Sequence, residues 1–167
     1  MKRRLNLTNV IFIVYLLILI WLILFKMSFS FNDISLLSRT RSVNLIPFCN
    51  IRDIGGIQVK EIIMNIVVFI PMGIYLKMNN VTNIKTVLYG ISSSFVFELI
   101  QFLFAIGTSD ITDLTTNTMG IVVGLFVYAL FRKIFVNKEK TDRVINRISI
   151  IVFILFSILL SLLIFMN

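Results

Sequence analysis

The sequence contains no histidine and only one cysteine, Cys49. The lack of histidine excludes Ser-His and Cys-His nucleophile pairs, and most zinc sites with them. A single cysteine cannot form an intramolecular disulfide, and Cys49 is interpreted as a small apolar residue near a surface. These absences remove a large fraction of known enzyme mechanisms, and the sequence predicts neither a cofactor nor a metal site.

Acidic residues are also scarce, since eight Asp and Glu stand against 16 Lys and Arg and leave a net charge of +8. In a soluble protein this excess would suggest nucleic-acid binding. Here the basic residues lie mainly between long apolar runs, so we interpret them as topology signals and as contacts with anionic lipid. Nucleic acid is therefore not an expected partner.

Apolar residues make up 58% of the chain and the mean hydropathy is +0.99, whereas a soluble domain is about 45–50% apolar. Several runs reach the roughly 17–25 residues that cross a bilayer as a helix. The predicted fold class is an all-α integral membrane protein, a single domain over residues 1–167 that forms a small bundle of about five transmembrane helices. The predicted spans are residues 8–26, 61–77, 84–106, 115–136 and 145–165.

The distribution of charge predicts the orientation of these spans. With the N-terminus in the cytoplasm, 11 of the 16 Lys and Arg residues fall in cytoplasmic segments, and the outer segment 107–114 contains none. Because cytoplasmic loops carry an excess of Lys and Arg, we expect a cytoplasmic N-terminus and an extracellular C-terminus. The expected location is the cell membrane of a Gram-positive bacterium, and the richness in Ile, Asn and Lys is typical of a low-GC bacterium.

Polar and small residues recur at helical spacing within the predicted spans. Such a face turns towards other helices, because a carboxyl facing hydrocarbon is costly. The third span carries one with Gly90, Ser94, Glu98, Gln101 and Ala105, and the fourth carries one with Asp110, Asp113, Asn117, Gly120 and Gly124. With Asn65 of the second span they predict a polar cluster in the outer half of the bundle. The Gly120-x-x-x-Gly124 spacing predicts close packing against the second or third helix.

The cluster has a structural and a functional interpretation. In the first, a neutral Glu98 pairs with neighbouring amides and locks the helices together. In the second, which we favour because intramembrane ionisable residues usually mark a functional site, it forms a pocket open to the outer leaflet. With arginines from the outer loop, which suit phosphate and carboxylate, the pocket would bind an amphiphile with an anionic or sugar-bearing head. The predicted ligand-binding residues are Asn65, Glu98, Gln101, Asp110, Asp113, Asn117, Arg39, Arg41 and Arg52.

Four stretches give the sequence a family resemblance: "VNLIPF" (43–48), "NIVVFIPMG" (65–73), "FELIQ" (97–101) and "SDITDLTTNTMGIVVG" (109–124). In this order and spacing they resemble the VanZ-like family of bacterial membrane proteins. One departure is Gly107-Thr108, where many relatives carry an arginine nearby. The matching motif positions are Asn65, Phe69, Pro71, Gly73, Glu98, Gln101, Asp110, Asp113, Asn117, Gly120 and Gly124.

The resemblance implies reduced susceptibility to glycopeptide antibiotics, particularly teicoplanin-like lipoglycopeptides. The preferred hypothesis is a resistance factor that binds or remodels an amphiphile: a membrane lipid, a lipid-linked cell-wall precursor or the lipoglycopeptide itself. One alternative is an intramembrane enzyme acting on a lipid-linked substrate, with Glu98 as general acid and Asp110 or Asp113 as base. Another is a small lipid or drug transporter, which would need a homo-oligomer because five spans make a thin pathway.

Overall fold

A computed structural model describes residues 7–24, 43–48, 57–104 and 109–166, and most of them are helical. Within these residues the chain forms five helices and one pair of two-residue strands, so the all-α prediction is confirmed. The helices are α1 (Leu7–Leu24), α2 (Ile57–Met78), α3 (Asn83–Phe104), α4 (Ile111–Phe135) and α5 (Lys138–Met166). The strands are β1 (Val43–Asn44) and β2 (Ser109–Asp110).

The helices overlap all five predicted spans but extend beyond several of them. α2 begins at Ile57 where the predicted span began at 61, α4 begins at Ile111 where it began at 115, and α5 begins at Lys138 where it began at 145. Hydropathy marks the apolar part of a helix, whereas backbone hydrogen bonds continue into polar turns. The first turns of α5 are an example, since they are charged and still helical.

Within the described ranges, four helices are long and apolar enough to cross a membrane. They are Val59–Met78, Asn83–Phe104, Ile111–Phe135 and Lys138–Leu162, and the described part of α1, Leu7–Ile23, is apolar but shorter. Large apolar side chains such as Leu103, Phe126 and Leu155 are exposed on the outside of the bundle. An apolar exterior around helices that satisfy their own backbone hydrogen bonds is the surface that a lipid environment requires.

The closest helix pair is α2 and α4, which pack backbone to backbone through glycines. A Cβ added to Gly73 would lie 3.1 Å from the Cα of Gly124, and a Cβ added to Gly124 would lie 3.0 Å from the Cα of Gly73. Larger residues would not fit at either position without moving the helices. A Cβ on Gly120 would meet the backbone of Ile66. The predicted glycine-mediated packing is thus confirmed. The sequence left the second and third spans as candidate partners, and Gly120 and Gly124 pack against the second, which is α2. We call this contact the glycine seam.

One end of the bundle gathers most of the described positive charge, and we call it the basic end. There Lys138 Nζ donates 2.8 Å to the carbonyl oxygen of Met78, which joins the start of α5 to the end of α2. Asn146 Nδ2 donates 2.9 Å to Thr8 Oγ1, which brings the start of α1 to the same region. These contacts place the α2–α3 and α4–α5 connections together with the first residues of α1.

The opposite end, the site end, is organised by the two strands. They pair in parallel, with Val43 opposite Ser109 and Asn44 opposite Asp110. The pair holds the segment 43–48 against the start of α4, and Phe48 N donates 3.1 Å to Thr112 Oγ1 alongside it. A two-residue strand leaves no periodic signal in a sequence, and this pairing was not predicted.

Candidate functional site

The polar cluster starts at Asp110, which caps α4. Its backbone is extended and its Oδ1 accepts 2.7 Å from the backbone nitrogen of Thr112, as expected of an N-cap residue. Its Oδ2 accepts 3.1 Å from Asn44 Nδ2 across the strand pair. Both carboxylate oxygens of Asp110 therefore hold the start of α4 in place, and the residue precedes the helix instead of sharing the face predicted for it.

Glu98 of α3 supports the same turn from the other side. Its side chain is 7% exposed, and Oε2 accepts 2.9 Å from Ser109 Oγ and 2.9 Å from the backbone nitrogen of Asp110. A carboxyl that receives two hydrogen bonds from a connecting segment satisfies donors that would otherwise be buried without an acceptor. The structural interpretation of Glu98 accounts for this oxygen.

Side-chain amides join the helices around Glu98. Asn65 Nδ2 of α2 donates 2.7 Å to Asp113 Oδ1 of α4. Asn117 Nδ2 of α4 donates 2.9 Å to Ser94 Oγ of α3. Each bond joins two helices that are also in apolar contact, so the cluster has a scaffold role whatever else it does.

Gln101 links α3 to α1. Its Nε2 donates 3.0 Å to the carbonyl oxygen of Ile23, close to the C-terminus of α1, where helical carbonyl groups lack partners within the helix. The end of α1 is thereby held over the polar residues of α3. Leu22 and Ile23 come to face the acids and amides of the other helices in this way.

A partly open cavity of about 280 Å³ lies between α1, α2, α3 and α4. Its apolar wall comes from α1 and α2 and consists of Leu22, Ile23, Met64, Val68 and Phe69. Its polar wall comes from α2, α3 and α4 and consists of Lys60, Glu61, Asn65, Glu98, Gln101, Asp113 and Asn117. A cavity with one apolar and one polar wall suits an amphiphile.

The cavity brings together five of the nine residues predicted to bind a ligand: Asn65, Glu98, Gln101, Asp113 and Asn117. Asp110 does not line it and reaches it only through its hydrogen bond with Glu98. The three predicted arginines, Arg39, Arg41 and Arg52, lie outside the described residues, and so does the departure at Gly107.

Two acceptors in the polar wall have no hydrogen-bond partner among the described residues. They are Gln101 Oε1 and Asn117 Oδ1, on side chains that are 2% and 3% exposed. A buried carbonyl oxygen without a donor costs about 1–3 kcal/mol, so each is an unmet acceptor on a side chain that lines the cavity. Among the described residues, no group of three or more His, Cys, Asp or Glu side chains is arranged to hold a metal ion.

Sequence reasoning left Lys60 and Glu61 out of the candidate site. Glu61 lies four residues before Asn65, so helical spacing already placed both on one face of α2. Asn44 carried no comparable signal, because its partner Asp110 is 66 residues away and the pairing depends on the fold.

A family model described as VanZ/LLP1 matches residues 12–132 of the chain. The curated relative "Protein VanZ" of Enterococcus faecium is 40% identical over 144 residues, which cover 84% of this chain and 84% of that protein. No solved structure matches the chain significantly. The family match spans α1 to most of α4 and so includes every described residue that lines the cavity.

Proposed function

Because the chain belongs to the VanZ/LLP1 family, we propose that it lowers susceptibility to teicoplanin-like glycopeptides by binding an amphiphile at the outer leaflet. The observation that carries this proposal is the cavity, in which acids and amides from three helices face an apolar wall. The amphiphile belongs to the membrane or to lipid-linked cell-wall synthesis, or is the lipid-bearing drug itself. Sequestering or repositioning it reduces engagement of the drug at the cell surface.

The proposal requires the site end to face outwards. Apart from Lys60, the described Lys and Arg residues lie in or near the turns of the basic end. Positive residues concentrate on the cytoplasmic side of a bacterial membrane, which supports a cytoplasmic N-terminus and an extracellular C-terminus. All five helices then cross the cell membrane, and the cavity lies in its outer half.

The two walls of the cavity divide the work of binding. The apolar wall of Leu22, Met64 and Val68 contacts part of an acyl or alkyl tail, in place of the lipid hydrocarbon that surrounded it. The polar wall orients the head by hydrogen bonds, which are strong where bulk water is excluded. The tail of an amphiphile in the bilayer is already in hydrocarbon before binding, so contacts with the head determine which amphiphile is bound.

Expression in a glycopeptide-susceptible Gram-positive host tests the proposal. The structure offers a matched pair of substitutions on α2: Val68→Phe fills the cavity, whereas Val67→Phe adds the same bulk to an outward-facing side chain that is 51% exposed. Wild type and Val67→Phe should both raise the minimal inhibitory concentration of teicoplanin, and Val68→Phe should return it towards that of the host. All three proteins are quantified in the membrane fraction.

Unchanged susceptibility with the wild-type protein present in the membrane would reject a resistance function. Equal resistance from Val68→Phe and Val67→Phe would retain resistance and reject the cavity as its origin.

A further inference from the structure

The polar wall of the cavity is dominated by hydrogen-bond acceptors. Glu61, Glu98 and Asp113 contribute carboxyl groups, and Gln101 Oε1 and Asn117 Oδ1 are buried acceptors without partners in the described part of the chain. The NH₂ groups of the two amides already donate within the protein, to Ile23 O and to Ser94 Oγ. The unmet requirement of this wall is therefore for donors.

The charge of the residues that line the cavity also favours a head that donates hydrogen bonds. Three residues with carboxyl groups line it, and Lys60 is the one cationic residue among the described lining residues. An ionised carboxylate close to a second anion is destabilised by like-charge repulsion, and a low local dielectric strengthens that repulsion. An anionic head would meet repulsion here and would leave the two amide oxygens unpaired.

We infer that the cavity selects an amphiphile whose head donates hydrogen bonds, through the hydroxyl groups of a sugar or through an amine, over one with a phosphate or carboxylate head. The inference rests on the proposed amphiphile-binding function and specifies its ligand. The sequence allowed an anionic or a sugar-bearing head, because arginines of the outer loop were expected to bind phosphate or carboxylate. The inference keeps the sugar-bearing head, adds an amine, and removes the anionic head.

The size of the cavity limits how much of the ligand enters. Pockets that enclose drug-sized ligands are about 300–1,000 Å³, and this cavity is about 280 Å³. A single sugar ring or an amine with the first part of its tail fits that volume, whereas a whole glycopeptide does not. The bound group is thus the head and proximal tail of a larger amphiphile.

A series of amphiphiles with one tail and three heads tests this selectivity. The full chain is reconstituted in phosphatidylcholine nanodiscs and titrated, below the micellar range, with octyl glucoside, octylamine or octyl phosphate. Saturable binding is read from the fluorescence of Trp21, the single tryptophan, which lies next to the cavity residue Leu22. Octyl glucoside or octylamine should bind at least about tenfold more tightly than octyl phosphate, since one satisfied buried acceptor is worth roughly that factor.

Matched substitutions assign the selectivity to the two amide side chains. Gln101→Met and Asn117→Leu keep side-chain size and remove each amide, its acceptor and its donor alike, and each should weaken the preferred ligand by about five- to tenfold. Asn146→Leu removes a third buried, unpartnered amide oxygen, at the basic end, and should leave binding unchanged. Thermal unfolding establishes that each variant is folded. The comparison of the three heads on the wild-type protein tests the inference even if a variant does not fold.

Tighter binding of octyl phosphate, or equal binding of all three, would overturn the inference about the head while leaving the resistance test untouched. Absence of saturable binding by every amphiphile, in a protein that confers resistance in cells, would overturn the inference together with the binding part of the proposed function. The predicted head selectivity without any resistance would establish the ligand class and reject the resistance function.

Discussion

Glu98 Oε2 lies 2.9 Å from the backbone nitrogen of Asp110, so a buried carboxyl of α3 supports the N-cap residue of α4. The same oxygen accepts from Ser109 Oγ. The acid that most resembles a site residue in the sequence is therefore also a structural support. Substitutions of Glu98 must separate its geometry from its ability to exchange a proton.

Replacing Glu98 with Gln or Leu makes that separation. A glutamine keeps an acceptor for the two donors, so Glu98→Gln should unfold within about 2 °C of the wild type; Glu98→Leu leaves both donors buried and should cost about 1–3 kcal/mol. Thermal unfolding in detergent measures both. The enzymatic alternative requires proton transfer by Glu98, so full teicoplanin resistance from Glu98→Gln would exclude it. Loss of resistance in a Glu98→Gln protein that is as stable as the wild type would favour it.

Alanine at two glycines should have unequal effects. A Cβ on Gly124 meets the backbone of Ile70 and Gly73, which cannot move without parting α2 from α4, so Gly124→Ala should destabilise by about 1–3 kcal/mol. A Cβ on Gly90 meets the end of the flexible Ile121 side chain and should cost less than half as much. Denaturant unfolding in mixed micelles compares them, and equal losses would contradict the glycine seam as the rigid contact.

The bond between Asn65 and Asp113 is suited to a double-mutant cycle. Asn65→Leu and Asp113→Leu each remove one partner of a 2.7 Å hydrogen bond, and the double variant removes both. We expect a coupling energy of about 0.6 kcal/mol, the average that double-mutant cycles give for hydrogen bonds between membrane helices. Unfolding free energies of the four proteins supply it. Strictly additive losses would mean that this bond does not stabilise the α2–α4 contact.

Thiol labelling tests the orientation. In a Cys49→Ser background, Leu45→Cys places a thiol at the site end and Glu139→Cys places one at the basic end, both at exposed positions. A membrane-impermeant maleimide added to intact cells should label the Leu45→Cys protein, and should label the Glu139→Cys protein only after lysis. The reverse pattern would put the cavity on the cytoplasmic side and contradict binding at the outer leaflet.

Much of the helical architecture is predictable because membrane helices are long, apolar and internally hydrogen-bonded, so composition alone locates them. The polar wall of the cavity is predictable for a related reason. Glu98, Gln101, Asp113 and Asn117 lie three or four residues apart on faces that hydrocarbon excludes, which sends them towards one another. Family motifs supplied the expected function, which spacing alone did not name.

The remaining features depend on contacts that local patterns do not encode. The strand pair and the bond from Asn44 to Asp110 join residues 66 apart. Asp110 was assigned to a helix face, although an acid just before an apolar helical run is also a typical N-cap. Helical spacing placed Glu61 on the same face of α2 as Asn65, but only the cavity shows that Lys60 and Glu61 belong to the site.

The helices around the cavity differ in how they contact one another: α2 packs on α4 through the main chain, and the end of α1 packs on α3 through side chains. α2 and α4 touch main chain to main chain at Gly73 and Gly124, so separating them would lose this close packing. Among the described residues, the last turn of α1 is held to α3 by the hydrogen bond from Gln101 to the carbonyl oxygen of Ile23, and by apolar contacts of Ile23 with the buried core. Widening the cavity on the α1 side would therefore displace side chains, whereas widening it on the α2–α4 side would break a main-chain contact.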